Sequence, residues 1–489
     1  MEGKNKTSAL FTDFYELTMA QGYWKKSMNG LVVFDVFFRR QPFNGGFSIF
    51  AGIETLIDAI TSFSFTEDDI SFLRSQGMFE EGFLDYLKDF HFSGDLYAFE
   101  EGELIFPQEP VVRIHARLIE AQIVEGLVLN HCNFQSLIAT KTARMWLASA
   151  KGSILEFGLR RAQGTDGALS ATRAAYIGGA SATSNTAGGK KFGIPVTGTM
   201  AHSWVLSFPT ELEAFTSYAE LYPDKSIFLI DTYDTLRSGI KNAIKAGALL
   251  YEKGHSFGVR LDSGDIAYLS AEVRKELDKA GFKDATISVS NDLSEEIIST
   301  LVSQKAPIDS WGIGTQLATG GTESSFTGVY KMCARTDNST GKLLPVMKFS
   351  DNPAKNTNPG VKNVFRLYDE EGMARADIIA LEDEEIECGK EYLYHHTMID
   401  YRQFHFTASS VRPLLKKRLE NGKRLSPPST EKERLQESRK RMMDEMETFD
   451  DSYKRILNPH IYKVSITEKL KDLKMEFIKG RQESVFQSI

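Results

Sequence analysis

The 489-residue chain carries 58 Lys and Arg against 66 Asp and Glu, a formal charge of -8 at pH 7, which argues against a general polyanion binder and therefore against a nucleic-acid partner. The length exceeds what one ordinary core holds, so two or three domains are expected. A hydrophobic share of 42% and a charged share of 25% exclude a largely disordered chain.

The first segment, MEGKNKTSALFTDFYELTMAQGYW, has no apolar core of signal-peptide length, and no apolar run reaches the roughly 18 residues a membrane helix needs. Cys132, Cys333 and Cys388 have no metal-ligand spacing and fit a reducing compartment. These observations predict a cytoplasmic protein with no membrane partner. Through residue 135 the pattern is α+β. VVFDVFFRR (32–40) and EPVVRIHARL (109–118) predict strands, and AGIETLIDAI (51–60) has helical apolar spacing. Residues 120–150 predict a long buried helix region.

From about 153 to 333 short apolar runs alternate with stretches long enough for a helix. The runs are SILEFG (153–158), AAYIGGA (174–180), IPVTGTMAHS (194–203), SIFLIDT (226–232), SFGVRLDSGD (256–265), ATISVSND (285–292), DSWGIGT (309–315) and TGVYKMCA (327–334). Such alternation predicts parallel pairing through crossover units, and the number of runs suggests a closed α/β barrel. Run after run begins apolar and ends in His, Arg, Asp, Ser or Gly. In a barrel that C-terminal end is the face where chemistry occurs; a turn also contains such residues, so the agreement between runs carries the reading. The Pro/Ser break SPPST precedes a strongly charged helix beginning near Glu431, whose KERLQESRKR run reads as a solvated face.

Within RLDSGD, Asp262 and Asp265 flank a Ser-Gly turn that can offer two carboxylates to Mg²⁺ or to sugar hydroxyls, although Asp-Ser-Gly is also common turn chemistry. In WGIGTQLATGG, Gly312, Gly314 and Thr315 follow a strand, where free N–H groups and a hydroxyl can cradle a phosphate. Arg160 and Arg161 end another run. A guanidinium fork suits a small carboxylate or a pyrophosphate.

Six ordered stretches, TDFYELTMAQGYW (12–24), EFGLRRAQGTDG (156–167), ATSNTAGGKKFGIPVTGTMAHSW (182–204), DTYDTLRSG (231–239), GVRLDSGD (258–265) and NPGVKNVFR (358–366), together with KRILNPHIYKVSITEKL (454–470), resemble nicotinate phosphoribosyltransferase along nearly the whole chain. The resemblance implies a sandwich-like α+β domain from 1–135 plus about 343–400. It also implies an irregular α/β barrel of the type II phosphoribosyltransferases over 136–342 and a helical extension over 401–489.

The implied activity joins nicotinate to phosphoribosyl pyrophosphate, giving nicotinate mononucleotide and pyrophosphate with coupled ATP hydrolysis. The implied assembly is a homodimer with shared sites, and Mg²⁺ assists. By the resemblance, His202 takes a phosphoryl group from ATP as a neutral imidazole. Asp262 and Asp265 serve the metal or ribose, and Arg160 and Arg260 the anionic groups. Gly312, Gly314 and Thr315 hold the 5'-phosphate, with Ser290 and Asn291 lending hydrogen bonds. Thr199 and Ser203 flank the histidine, and Asp13 and Tyr15 serve the pyridine ring, Tyr15 from the partner subunit. Asn358 departs from the aliphatic residue expected before Pro359, which weakens contacts assigned to Lys355 and Lys362. Enzymes of the same scaffold acting on nicotinamide or quinolinate, and a non-catalytic scaffold protein, are the alternatives. The last is disfavoured by the charged residues retained at the strand ends.

Overall fold

The computed structural model describes residues 7–486 apart from 338, 351–354, 400 and 426–428; the start of the N-terminal segment and most of the Pro/Ser break lie outside the described residues. Two compact units divide the chain. One comprises 138–324 and 431–439, the other 1–137, 325–430 and 440–489.

The first of these is built on six parallel strands in the order Ala182–Thr183, Ser153–Glu156, Ser310–Ile313, Thr286–Asn291, Gly258–Leu261, Ile227–Leu229. Ile154, Trp311, Ile313, Ile287, Val289, Val259, Leu261, Phe228 and Leu229 are all buried, as expected where helices cover both faces of a parallel sheet. Between strands, amphipathic spacing makes helices. Ile266–Lys279 buries Ile266, Ser270, Val273 and Leu277, three or four residues apart. Ser294 caps the helix Glu295–Ser303 by accepting from Ile297 N–H.

Three expected strands are absent from this sheet. AAYIGGA lies at the end of the alanine-rich helix Gly164–Ile177, where small, strong helix formers give an apolar run without a strand. IPVTGTMAHS contributes only an isolated parallel bridge, Thr183 to Val196. TGVYKMCA belongs to the strand Gly328–Thr336, which pairs antiparallel with Leu31–Phe38 in the other unit. Ladder pairing among the described residues therefore gives a mixed α/β fold with an open parallel sheet rather than the expected closed barrel.

In the other unit, a seven-stranded sheet runs Leu343–Pro345, Gly328–Thr336, Leu31–Phe38, Val112–Arg117, Asp95–Ala98, Lys416–Glu420, Lys423–Arg424. A six-stranded sheet runs Gln403–Thr407, Glu391–His396, Lys463–Ile466, Ala374–Leu381, Lys362–Tyr368, Ser410–Pro413. The stretch expected to be a helical extension thus contains strands before and after the helix Glu431–Thr448. That helix is not solvated all round, since Leu435, Met442 and Met446 are buried.

A polar core sits in the same unit. Arg366, fully buried, donates to Asp377 at 2.9 Å, Glu445 at 2.6 Å and the Leu104 carbonyl at 2.7 Å. Arg412 pairs with Glu103 at 3.0 Å and with Glu445 at 2.7 Å. Two guanidiniums face four carboxyls, counting Glu109. Burial pushes Glu103 up to about 7, and burial followed by the nearby Asp377 carboxylate pushes Glu109 well above its usual range.

Candidate active site

Because all six strands run the same way, their C-terminal ends share one edge, the edge at which parallel α/β sheets bind ligands. Glu156 ends one strand as a buried carboxylate that accepts from Thr172 Oγ1 at 3.0 Å, Thr183 Oγ1 at 2.5 Å and Gly158 N–H. Its oxygens are used in tying strands and helix together.

Four strands along, at one edge of the sheet, Asp231 follows Ile227–Leu229. Its Oδ2 accepts from Asp262 N–H at 3.1 Å and from Ser263 Oγ at 2.5 Å, while its Oδ1 is buried with no hydrogen-bond partner among the described residues. Gly239 makes this strand end possible, because a Cβ there would lie 1.8 Å from the Ile230 carbonyl oxygen. Any side chain would displace the backbone that carries Asp231.

Asp262 is the hub. Its Oδ1 accepts from Ser290 Oγ, Arg260 Nη2 lies 4.0 Å away, and His202 Nε2 lies 3.8 Å from its Oδ2. His202 opens the helix His202–Leu206 rather than ending a strand, and its Nδ1 sits 3.1 Å from Thr232 Oγ1. The His202 side chain is 41% exposed and Asp262 is 38% exposed, so both are held in place yet reachable by a solute.

Arg260 donates to Thr199 Oγ1 and, at 3.3 Å, to the Met200 carbonyl, while its Nε is buried without a partner. Burial, with Arg160 adding repulsion, draws its guanidinium below the usual range, though an arginine still keeps its proton. These contacts have a topological consequence. His202 with Thr232, and Met200 with Arg260, join the Val196 segment beyond one edge strand to the strands at the opposite edge.

The sequence-predicted residues therefore divide. Thr199, His202, Arg260, Asp262 and Ser290 form one connected cluster. Asp265 instead caps the helix Ile266–Lys279, its Oδ1 accepting from Tyr268 N–H at 3.1 Å. Asn291 accepts from Asp292 N–H at 2.8 Å, and Arg160 and Ser203 are exposed. Gly312 has a packing reason to be glycine, since a Cβ would lie 2.6 Å from the Phe157 ring. Gly314 stands at the N-cap of the four-residue helix Thr315–Ala318, with no side chain capping it.

In the other unit, Asp13 is the N-cap of Phe14–Lys25 and makes no capping bond, and Tyr15 is 51% exposed rather than a core aromatic. Lys355 is exposed, but Lys362 is not a ligand-facing cation. It is buried, paired with Asp35 at 2.8 Å, and donates to the Asn358 carbonyl at 2.9 Å.

Asp231 and Thr232 were not singled out from the sequence, although SIFLIDT obeys the rule that found their neighbours: apolar start, polar end. Among the described residues no group of three or more acidic, histidine or cysteine side chains is arranged to hold a metal. The donor set nevertheless suits Mg²⁺, which takes one or two protein carboxylates and completes its shell with water and substrate phosphates. Asp231 Oδ1, buried and unpartnered beside Asp262, is such a donor. A nucleophilic imidazole, two carboxylates and a buried guanidinium on one edge can accept a phosphoryl group and hold a polyphosphate ester.

The profile of the nicotinate phosphoribosyltransferase (NAPRTase) N-terminal domain matches residues 10–133, and that of the nicotinate phosphoribosyltransferase C-terminal domain matches 361–474. A nicotinate phosphoribosyltransferase of Bacillus subtilis is 40% identical over 480 residues, 97% of this chain and 96% of the relative. The crystal structure of human nicotinic acid phosphoribosyltransferase superposes with a TM-score of 0.82 at 29% identity, covering 94% of this chain and 99% of that one. A nicotinate-nucleotide pyrophosphorylase from Pyrococcus furiosus shares the fold at a TM-score of 0.69 and 22% identity, covering 90% of this chain and 95% of that one.

Proposed function

The chain belongs to the nicotinate phosphoribosyltransferase family, and from that premise we propose that it joins nicotinate to 5-phosphoribosyl 1-pyrophosphate, releasing pyrophosphate and giving nicotinate mononucleotide for NAD biosynthesis. We propose further that ATP hydrolysis is coupled to this transfer through His202, and that the enzyme works in the cytoplasm as a homodimer with shared sites. The observation that carries the reading is the cluster in which His202 lies between Thr232 and Asp262, with Arg260 behind Asp262.

The pyridine nitrogen of nicotinate has a free lone pair at neutral pH, so displacement at the ribose carbon requires no general base. Positioning, and stabilisation of charge on the departing pyrophosphate, remain for the protein to supply. Arg260, with Arg160 nearby, serves the anionic groups, the departing pyrophosphate and the nicotinate carboxylate. Asp262 and Ser290 serve the ribose hydroxyls. The N–H groups at Gly314 and Thr315, with Gly312 and Asn291 adjoining, serve the 5'-phosphate, and Asp13 and Tyr15 serve the pyridine ring. Asp231 and Asp262 are the residues that would hold Mg²⁺, with Asp265 as a further carboxylate in the same turn. Such an ion supplies neutralisation of polyphosphate charge.

For the ATP step, assigning the imidazole proton to Nδ1, where Thr232 Oγ1 accepts it, leaves the lone pair on Nε2. Nε2 then attacks the γ-phosphorus, the N–P bond forms as the P–O bond to ADP breaks, and water later takes the phosphoryl group as the N–P bond breaks, releasing phosphate and restoring the imidazole once per turnover. The irregular barrel is part of this proposal. The parallel strand order, and the side-chain contacts from residues 200 and 202 to residues 260 and 232, support it.

The test is to incubate purified protein with phosphoribosyl pyrophosphate and nicotinate, nicotinamide or quinolinate, with and without ATP, and to follow mononucleotide and label from γ-labelled ATP. Nicotinate is expected to exceed nicotinamide at least about tenfold in kcat/KM, because a carboxylate–guanidinium bond contributes about 1.5–3 kcal/mol. His202→Ala should lose the acid-labile, alkali-stable label and the gain from ATP while keeping slow transfer. Equal use of nicotinate and nicotinamide, or equal labelling of His202→Ala, contradicts the reading.

A further inference from the structure

The helix Phe14–Lys25 begins with Asp-Phe-Tyr-Glu, a sequence that reads as an N-cap followed by a carboxylate able to reach back to it. The structure uses Glu16 differently. Its side chain is turned inward and fully buried, with Oε2 accepting from Gln122 Nε2 and Oε1 buried without a hydrogen-bond partner. The same Gln122 amide nitrogen donates to Glu125 Oε2 at 3.2 Å. One amide therefore bridges two carboxyls. The only cation paired with them among the described residues is Lys331, 3.9 Å from Glu125 Oε1.

One further contact holds the same turn: Thr12 Oγ1 donates to the Ile123 carbonyl at 2.9 Å. Asp13 and Tyr15 ride on this anchored turn with their side chains left exposed.

Two carboxyls bridged by one amide, Glu16 buried and Glu125 only 15% exposed, cannot both ionise cheaply, so the pair retains a proton at pH values where isolated glutamates have lost theirs. We propose that Gln122 and Glu125 are positioning residues for Tyr15: they hold Glu16 through one shared proton, and loss of that proton releases the helix turn that presents Asp13 and Tyr15. This deepens, and rests on, the reading of Tyr15 as a nicotinate-site residue.

The groups facing the pair are Asp13, Tyr15 and Tyr23 on the first helix, Lys331 and Tyr330 on the strand Gly328–Thr336, and Lys348 and Arg39 acting through Lys331. Burial sets Glu125 up to about 7, with Lys331 opposing and Glu16 adding to the rise. Burial also raises Glu16, and burial followed by the Glu16 carboxylate raises the Tyr15 phenol. The proton is thus present below about pH 7 and lost above it. Nicotinate itself does not titrate in that range.

The experiment measures kcat and KM for nicotinate from about pH 6 to about pH 9 in wild type, Glu125→Gln, Gln122→Leu and Tyr15→Ala, with thermal midpoints recorded for each. Wild-type KM should rise at least about fivefold above pH 7 with kcat changed less than about twofold, as a group titrating near neutrality requires. Glu125→Gln mimics the protonated acid and should hold the low-pH KM throughout, while Gln122→Leu should raise KM at every pH. A wild-type profile in Glu125→Gln overturns the proposal.

Hydrogen exchange of the peptide spanning residues 11–20 in wild type gives a second measurement that needs no variant. After correction for intrinsic rates, exchange should increase from about pH 6.5 to about pH 8.5. Unchanged exchange also overturns the proposal. If Tyr15→Ala leaves KM unchanged at low pH, the substrate reading of Tyr15 falls instead, and the exchange result separates the two failures.

Discussion

Replacing Asp231 by Asn isolates the charge of this residue from its hydrogen bonds. Asn can place its oxygen where Asp231 Oδ2 accepts from Asp262 N–H at 3.1 Å and Ser263 Oγ at 2.5 Å, and its NH₂ where the unpartnered Oδ1 stands. The strand-end geometry is kept and one negative charge is removed. Two charge-assisted bonds become neutral ones, a change of about 1–2 kcal/mol in total, so the thermal midpoint should fall by no more than a few degrees. If Asp231 helps hold a divalent cation against the pyrophosphate, several kcal/mol of transition-state stabilisation go with the charge. At about 1.4 kcal/mol per factor of ten, kcat/KM then drops by on the order of 10²-fold or more. The Mg²⁺ concentration needed for half-maximal rate should rise in parallel.

Ser263→Ala is the control. It removes the hydroxyl bond to the same oxygen but leaves the charge, and should cost less than about tenfold by the size of one hydrogen bond. Initial rates across a Mg²⁺ series, beside thermal unfolding of each variant, distinguish the cases. An Asp231→Asn enzyme with more than about a third of wild-type kcat/KM, or a Ser263→Ala enzyme as impaired as Asp231→Asn, would refute the role, since either result means that shape rather than charge is what Asp231 supplies.

Two further outcomes are expected. A Tyr15→Ala chain mixed and refolded with an Arg260→Ala chain should recover activity above either parent if sites are shared across a dimer; no recovery places each site within one subunit. Stability should also fall as pH rises through neutrality, because Glu103 is raised to about 7 and Glu109 is raised as well: acids whose folded pKa exceeds the unfolded value stabilise most below about pH 4.5 and lose that contribution as pH climbs through the folded value. Thermal midpoints from about pH 5 to about pH 8 should fall less in Glu103→Gln than in wild type, and identical slopes would remove Glu103 from the cause.

Much of the candidate cluster was legible because buried parallel strands print themselves as short apolar runs, and the polar residue closing each run lands at the C-terminal edge of the sheet. That rule reached Arg260, Asp262 and Ser290, while His202 lies in a run that joins the sheet only through one isolated bridge. It failed where an apolar run had another origin. AAYIGGA is the end of a helix, and periodicity over so few residues does not separate the two. Positive charge misled in the same way. Lys362, within NPGVKNVFR, looks like an anion ligand until burial shows it neutralised by Asp35.

The three aspartates make the physical reason plain. Asp265 bonds to the N–H of Tyr268, three residues away. That cap was readable in the sequence as an acidic residue placed just before an amphipathic helix. Asp231 bonds to Ser263, 32 residues away, and Asp262 to Ser290, 28 residues away. A polar group whose partners are local declares its role in a short window. One whose partners come from neighbouring strands is indistinguishable from a turn residue until strand order is known, and strand order is a property of the whole sheet. Non-local satisfaction also leaves specific atoms over, here Asp231 Oδ1 and Arg260 Nε. At this edge, those leftover atoms point to ligand binding more directly than residue type does.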